Sequence, residues 1–163
     1  MIKGQLSHEL EVSMPAAMVW ETYGTLQLDK LLVKLLPNVV RDLQVMEGNG
    51  GVGTLVSLTW FHPDTPGFSV YKTKLTKIDN ENRVREEELV EGEYLDVGFL
   101  LYRVRFEILE KDDDLSIIRS TIEYELAEEC VMYASLVSIN SLAIIAEVAG
   151  KHLTEEYKAK LKA

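Results

Sequence analysis

The longest charge-free stretch of the chain lies towards its C-terminal end and constrains the fold more than any other feature. No residue between Val131 and Ala146 carries a charge, and residues 128–157 contain no proline. Apolar residues recur there mostly at intervals of three and four: Val131, Ala134, Val137, Leu142, Ile145, Ala149 and Leu153. That spacing is typical of one helix face and predicts a single long helix over residues 128–157. A helix of this length needs a large partner, such as a sheet that curves around it.

The same stretch invites comparison with a membrane span, which needs about 20 apolar residues. Four polar residues interrupt it and two charged residues close it: Ser135, Ser138, Asn140, Ser141, Glu147 and Lys151. We therefore expect a core helix and no membrane partner. The polar residues have two interpretations. They pack in an ordinary core, or Ser138, Asn140 or Ser141 faces an internal cavity and orients a ligand.

Length and charge limit the classes of function. A chain of 163 residues fits one domain over residues 1–163, long enough to bury a sizeable core. There are 17 basic and 27 acidic residues, and the net charge of −10 disfavours nucleic acid as a partner. Cys130 is the only cysteine, so no internal disulfide forms. The first nine residues are too polar for a signal peptide, and we expect a cytoplasmic monomer or weak homodimer.

The rest of the chain alternates between strand and turn patterns. A strand with one solvent-exposed face is predicted at residues 6–12, and His8 lies on its other, apolar face. A lone histidine on an apolar face is either a packed core residue or a functional one. Two short helices follow at residues 15–23 and 26–36 and end at Gly24 and before Pro37. Six more strands are predicted at residues 39–46, 54–61, 68–78, 83–90, 98–109 and 115–126, with a loop at residues 62–67.

This order predicts an α+β fold. A seven-stranded, curved antiparallel sheet would wrap around the long C-terminal helix, with two short helices after the first strand. Alternation places Leu58 with Trp60, and Leu100 with Tyr102, Val104, Phe106 and Ile108, on inward faces. We expect Leu58, Trp60, Tyr102 and Phe106 to line an internal hydrophobic cavity opposite Leu142 and Ile145.

A glycine-rich segment at residues 48–53 has two interpretations. Such a loop can bind phosphate through its backbone amides. This one lacks the Gly-Lys-Ser/Thr ending and does not lead into a helix, so we favour a turn between two strands.

Four segments resemble one known family: residues 7–12 (Ser-His-Glu-Leu-Glu-Val), 47–54 (Glu-Gly-Asn-Gly-Gly-Val-Gly-Thr), 79–83 (Asp-Asn-Glu-Asn-Arg) and 90–96 (Val-Glu-Gly-Glu-Tyr-Leu-Asp). They resemble the pathogenesis-related class 10 superfamily, which has the fold of the major birch pollen allergen. More narrowly, they are similar to its norcoclaurine synthase and norbelladine synthase branch, over nearly the whole chain. The resemblance implies the helix-grip fold predicted above and a structural role for the glycine loop.

The branch also implies a reaction, the condensation of an aryl-ethylamine with an aromatic aldehyde. In norcoclaurine synthase the iminium then closes onto the ring in a Pictet–Spengler reaction. The family assigns the acid–base roles to a tyrosine, a glutamate two residues on, a lysine in the following strand and an aspartate in the strand after that. In this chain the tyrosine is Tyr71, but the other three positions are Thr73, Arg85 and Val104.

These departures alter the predicted catalytic set. Arg85 stays protonated and is a poor proton shuttle, and neither Thr73 nor Val104 is a base near neutral pH. Glu87 lies on the same strand face as Arg85 and is the candidate substitute; its alternative is an ion pair with Arg85 or Arg83. The predicted catalytic residues are therefore Tyr71, Arg85 and Glu87. The ligand-binding residues are Leu58, Trp60, Thr73, Tyr102, Val104, Phe106, Leu142 and Ile145.

Three functions follow from these observations. The chain is an enzyme of the alkaloid branch with a rearranged acid–base set, a non-catalytic carrier of a hydrophobic or hormone-like ligand, or a defence protein with an incidental cavity. We expect a small aromatic or amphipathic ligand and no cofactor. Its three histidines have no metal-ligand spacing. We also expect little norcoclaurine synthase activity, which Thr73→Glu and Arg85→Lys together should raise more than either change alone.

Overall fold

An antiparallel sheet of seven strands curves around a C-terminal helix in the computed structural model, which describes residues 1–61 and 67–163. The strands are β1 (Ile2–Val12), β2 (Val40–Glu47), β3 (Leu55–Phe61), β4 (Phe68–Asp79), β5 (Val84–Glu91), β6 (Phe99–Asp112) and β7 (Leu115–Leu126). The α-helices are α1 (Ala16–Tyr23), α2 (Gln27–Leu35), α3 (Glu93–Asp96) and α4 (Asn140–Lys162), and a 3₁₀ helix spans Glu128–Leu136. The predicted fold class is confirmed. The loop predicted at residues 62–67, including His62, lies outside the described residues except for Gly67.

The strand order β1-β7-β6-β5-β4-β3-β2 places β1 and β2 at the two edges of the sheet, and α1 and α2 connect them. Each neighbouring pair is antiparallel. α4 buries Leu142, Ile145, Ala149 and Leu153 in the core, as the spacing of the sequence predicts. A Cβ at Gly150 would lie 2.9 Å from Val12 Cγ1, so glycine allows α4 to pack closely against β1.

The long helix predicted over residues 128–157 is wrong at its first third. Glu128–Leu136 forms a 3₁₀ helix with no buried residue, and Val137 adopts extended backbone with ψ 122°. α4 begins only at Asn140, and the Ser138 hydroxyl accepts the Asn140 N–H at 3.2 Å. Threefold spacing fits a 3₁₀ helix as well as one face of an α-helix, so the pattern alone could not locate the break.

The whole stretch Glu128–Lys162 is long and apolar enough, by length and composition, to cross a membrane, with a mean hydropathy of 1.7 in its most apolar window. Core helices of soluble proteins pass the same test. In this structure the stretch is interrupted at Val137, and α4 contributes its apolar face to the core beneath the sheet.

The inward alternation predicted for β6 holds from Tyr102 onwards but is wrong for Leu100, which is 60% exposed. Pairing of β6 with β7 is irregular between Phe99 and Leu101. A bulge of this kind moves each preceding side chain to the opposite face, so Phe99 is buried in place of Leu100.

Two turns that the sequence predicts, at the glycine-rich segment and between β4 and β5, are present in the structure. The glycine-rich segment connects β2 to β3, as predicted, and Gly48, Gly50 and Gly53 have positive φ. The Thr54 hydroxyl donates to Gly51 O and accepts from the Gly50 N–H. Asp79 Oδ1 accepts the N–H groups of Glu81 and Asn82 and closes the predicted β4–β5 hairpin.

Candidate active site

A cavity of about 660 Å³ lies between the concave face of the sheet, α2 and the first turns of α4. This volume is typical of small-molecule pockets, which measure about 300–1,000 Å³. Ser138, Asn140 and Ser141, at the beginning of α4, all line the cavity. Of the two interpretations of these polar residues, the structure favours the one in which they face an internal space.

All the predicted site residues lie on the wall of this one cavity: Leu58, Trp60, Tyr71, Thr73, Arg85, Glu87, Tyr102, Val104, Phe106, Leu142 and Ile145. Strand alternation explains why they converge, because each sheet residue among them belongs to the inward half of its strand. Other lining residues were not predicted from the sequence, and of these Asp29 on α2 and Tyr94 on α3 matter most for chemistry.

Three tyrosines form a stacked group on one side of the cavity. The Tyr94 ring lies 4.4 Å from Tyr102 and 6.0 Å from Tyr71, at interplanar angles of 18° and 25°. Burial raises the pKa of all three phenols, so they stay protonated near neutral pH. The group therefore offers hydroxyl donors and flat aromatic surfaces to an aromatic ligand.

Arg85 is buried, with 1% of its side chain exposed, and it connects β5 to both short helices. Its Nη1 donates to Tyr23 O at 3.2 Å and to Thr25 O at 2.9 Å, beside the C-terminal end of α1. Its Nη2 donates to Asp29 Oδ1 at 2.8 Å, in the first turn of α2. The guanidinium thus links α1, α2 and β5, a geometry that a lysine ammonium cannot reproduce.

Glu87 lies two residues beyond Arg85 and also faces the cavity. Its Oε2 is 3.4 Å from Arg85 Nη2, a longer contact than the one to Asp29. Burial raises the pKa of Glu87; the Arg85 charge partly opposes this effect, and the Asp29 charge adds to it. Glu87 is therefore ion-paired with Arg85, as one interpretation from the sequence has it, and it holds a proton more readily than an ordinary glutamate; its catalytic role stays a prediction.

A signal for Asp29 was present in the sequence. A buried arginine requires a buried acid, and Asp29 lies beside Leu28 and near Leu32, on the apolar face of the second helix. Tyr94 gave no periodic signal, because α3 has only four residues. Among the described residues no three metal-binding side chains come together.

Comparison with known proteins assigns this architecture to a family. The model of the pathogenesis-related protein Bet v 1 family matches residues 1–156. The chain belongs to the Bet v 1 family. The resemblance to the class 10 proteins and to their alkaloid branch is thereby confirmed.

Within the Bet v 1 family the chain is similar to two kinds of synthase. It is 45% identical to norbelladine synthase of Narcissus pseudonarcissus, over 95% of this chain and 94% of that protein. It is 36% identical to S-norcoclaurine synthase 2 of Papaver somniferum, over 96% of this chain and 68% of that protein. A structure of norcoclaurine synthase from Thalictrum flavum with dopamine and hydroxybenzaldehyde has a TM-score of 0.83 and 32% identity, covering 94% of this chain and 88% of that one.

The departures from the norcoclaurine synthase pattern lie on the cavity wall of this Bet v 1 protein. Thr73 and Val104 line the cavity and supply neither acid nor base. The lining carboxylates in the described part of the chain are Asp29, Glu87 and Glu93. Glu93 is exposed, and Asp29 makes the closer contact with Arg85, at 2.8 Å against 3.4 Å for Glu87, so Glu87 is the largely buried lining carboxylate that is less tightly paired with Arg85.

Proposed function

We propose that this protein joins an aryl-ethylamine to an aromatic aldehyde inside its cavity, with Glu87 as the general acid and base. The observation that carries the proposal is the position of Glu87, a carboxylate of raised pKa on the wall of a largely apolar cavity. Two findings support the choice of substrates. The chain is 45% identical to norbelladine synthase, and a structural neighbour binds dopamine and hydroxybenzaldehyde.

Condensation requires a proton donor at the step in which water leaves. The amine nitrogen attacks the aldehyde carbon, a C–N bond forms, and the carbonyl oxygen becomes the hydroxyl of a carbinolamine. Glu87 in its protonated form donates to that hydroxyl, the C–O bond breaks, and water leaves. The carboxylate that remains lies beside the new iminium and can take up its proton, which yields the neutral imine.

Other residues of the proposed site orient the reactants. Tyr71, Tyr94 and Tyr102 provide phenol donors and ring surfaces that hold the two aromatic groups close together, and proximity alone accelerates condensation. Arg85 is a positioning residue in this scheme, because four of its contacts fix α1, α2, Asp29 and Glu87. In this proposal Arg85 therefore holds Glu87 in place, instead of taking the catalytic role that the sequence predicts for it.

We propose that the reaction ends at the imine. Ring closure requires a base for the aromatic proton, and the two family positions that would supply carboxylates are Thr73 and Val104. A positioned acid or base contributes about 100-fold to 10,000-fold, so their loss removes most of the ring-closing acceleration. We therefore propose amine–aldehyde condensation without the Pictet–Spengler step.

Product analysis tests this proposal. The protein is incubated with tyramine or dopamine and 4-hydroxyphenylacetaldehyde or hydroxybenzaldehyde in two parallel reactions. One contains cyanoborohydride, which traps the imine as a secondary amine, and the other lacks it, so that ring closure can be measured. We expect trapped amine well above the rate in buffer and ring-closed product near the buffer rate. A ring-closed product from dopamine that forms quickly and is unaffected by Glu87→Gln would contradict both the reaction and the site.

The second candidate function is a non-catalytic carrier of a hydrophobic aromatic ligand. The observation that favours it is the apolar cavity wall combined with a family acid–base set that is retained only at Tyr71. Mass spectrometry of small molecules retained after mild purification distinguishes the two. Retention of a ligand without turnover favours the carrier.

For either function, we propose that the protein acts in the cytoplasm as a monomer or weak homodimer. One free cysteine and a net charge of −10 are consistent with this proposal.

A further inference from the structure

Four buried polar atoms without a hydrogen-bond partner in the described part of the chain belong to three residues of one cross-strand row of the sheet and to a tyrosine of α1. They are His8 Nδ1, Tyr23 Oη, Arg85 Nε and Ser120 Oγ. Tyr23 and Ser120 are fully buried, and Arg85 is 1% exposed. The remaining such atom in the same part of the chain, Arg103 Nε, belongs to a residue paired with Glu88 and Glu123 on the other face of the sheet.

The sheet register places these residues in one row. His8 on β1 is the partner of Ser120 on β7, and Ser120 is the partner of Phe106 on β6. Phe106 is in turn the partner of Arg85 on β5. The Tyr23 ring packs edge-on against Phe106 from α1, with ring centroids 5.4 Å apart. Three of the unpartnered atoms therefore belong to one cross-strand row, and the fourth belongs to Tyr23, which packs against Phe106 of the same row.

Such a concentration of unpartnered polar atoms has a physical cost. A buried hydroxyl that gives up water without gaining another partner destabilises the folded state. Native proteins satisfy almost all such groups, with ordered water where protein partners are lacking. A water molecule needs two to four polar partners, and the hydroxyls of Tyr23 and Ser120 and the imidazole of His8 are groups that can bind it.

We propose that His8, Tyr23 and Ser120 form a second binding site, closed and polar, whose ligand is ordered water. Phe106 separates this water site from the main cavity: Phe106 lines the cavity and is 3% exposed, whereas His8, Tyr23 and Ser120 are absent from the lining. Arg85 lies at the end of the same row, so its Nε–H can extend the hydrogen-bonded group towards the floor of the cavity. The water site does not depend on the proposed reaction.

Counting long-lived internal water tests the site. Magnetic relaxation dispersion of water nuclei reports molecules that stay bound far longer than surface water. We expect Ser120→Val, which replaces the hydroxyl by a methyl group and adds a second methyl group that fills space, to lower the count relative to the native protein. Tyr23→Phe should lower it too and keeps the test valid if Ser120→Val does not fold.

Ser116 provides a matched control. It is buried on the same face of β7, but its hydroxyl already donates to Met14 O at 3.0 Å. Ser116→Ala should therefore not lower the water count. An unchanged count in both Ser120→Val and Tyr23→Phe would overturn the proposal. A crystal structure in which Ser120 Oγ bonds directly to His8 Nδ1 with no water beside Tyr23 would overturn it as well.

A third variant tests where the site lies. Phe106→Leu shortens the side chain that separates the water from the cavity, so the bound water should exchange through the cavity and its slow component should be lost. Persistence of the slow component in Phe106→Leu, at the native count, would overturn the placement of the site behind Phe106.

Discussion

At the scale of single residues, Arg85 shows how one substitution changes what a family position does. The sequence identifies Arg85 as the replacement for a lysine and predicts that it is a poor proton shuttle. The structure adds that the guanidinium binds two backbone carbonyls and two carboxylates, and so holds α1 and α2 on β5. Its neighbour Glu87 is thereby positioned in the cavity.

Arg85→Met should destabilise the fold by about 3–5 kcal/mol, because it leaves Asp29 and Glu87 buried without a counter-charge. Arg103→Met is the matched control on the outer face, where the arginine is 28% exposed and its ion pairs contribute only about 0–1 kcal/mol each. Urea unfolding measures both free energies. Equal losses in the two variants would contradict the structural role of Arg85.

This role also changes the expectation for the double variant Thr73→Glu/Arg85→Lys. A lysine ammonium cannot make the divergent contacts of the guanidinium, so Arg85→Lys carries a loss of stability that the sequence did not reveal. The activity of the double variant must therefore be measured where unfolding is shown to be negligible. Thr73→Glu alone is the cleaner test of restoring the family base.

Tyr71→Phe should weaken the binding of a phenolic ligand by about 1 kcal/mol through one lost hydrogen bond. Tyr157→Phe is the control, because its phenol donates to Asp114 on the surface, away from the cavity. Isothermal titration with a hydroxylated aromatic aldehyde measures the affinities. The same affinity in native protein and Tyr71→Phe would remove Tyr71 from the proposed site.

At the scale of elements, the sequence predicts the strands that have a clear periodic pattern and misses short features such as the four-residue helix α3. Strand alternation located β3, β4 and β5, placed Trp60 on an inward face and put Glu87 on the same face as Arg85, whereas Tyr71 was predicted from the family resemblance. It could not place Leu100, because a bulge reverses the alternation without a sequence signature. Strand alternation also could not reveal α3, so Tyr94 was missed. Nor could it predict the contact between Asp29 and Arg85, because these residues are 56 positions apart in the sequence.

Gly92, directly before α3, gives a prediction at this scale. It has φ +148°, and a Cβ there would lie 2.4 Å from Cδ1 of Tyr71. Gly92→Ala should therefore displace the Tyr71 ring and lower ligand affinity as well as stability. Gly53→Ala is the control: Gly53 has φ +94°, and a Cβ there would meet nothing within 4 Å, so strain arises without contact with the cavity. Ligand affinity that is unchanged in Gly92→Ala would contradict the link between α3 and Tyr71.

At the scale of the whole molecule, the fold places the Glu87 carboxyl on the cavity wall, where its proton affinity affects both stability and the proposed reaction. The folded-state pKa of Glu87 is raised above its ordinary value of 4.5. Its contribution to stability is therefore fully present below that value and is lost as pH rises through the raised pKa. The proposed acid form is lost over the same range, so activity should fall on the alkaline side of that pKa.

Comparison with Glu87→Gln separates the contribution of Glu87 to the pH dependence of stability from the contributions of the other acidic residues. The difference between native protein and variant in the free energy of unfolding, followed against pH, should show the native protein losing stability relative to Glu87→Gln as Glu87 ionises. A difference that is constant with pH would mean that Glu87 does not titrate in this range.

The initial rate of trapped imine formation reports whether Glu87 is the acid–base group of an amine–aldehyde condensation. The native protein, Glu87→Gln and the control Glu88→Gln are compared with tyramine and hydroxybenzaldehyde; Glu88 pairs with Arg103 on the outer face of the sheet. We predict a rate about 100-fold to 10,000-fold lower in Glu87→Gln and a near-native rate in Glu88→Gln. A rate in Glu87→Gln equal to that of the native protein, with the fold intact, would contradict the assignment of Glu87.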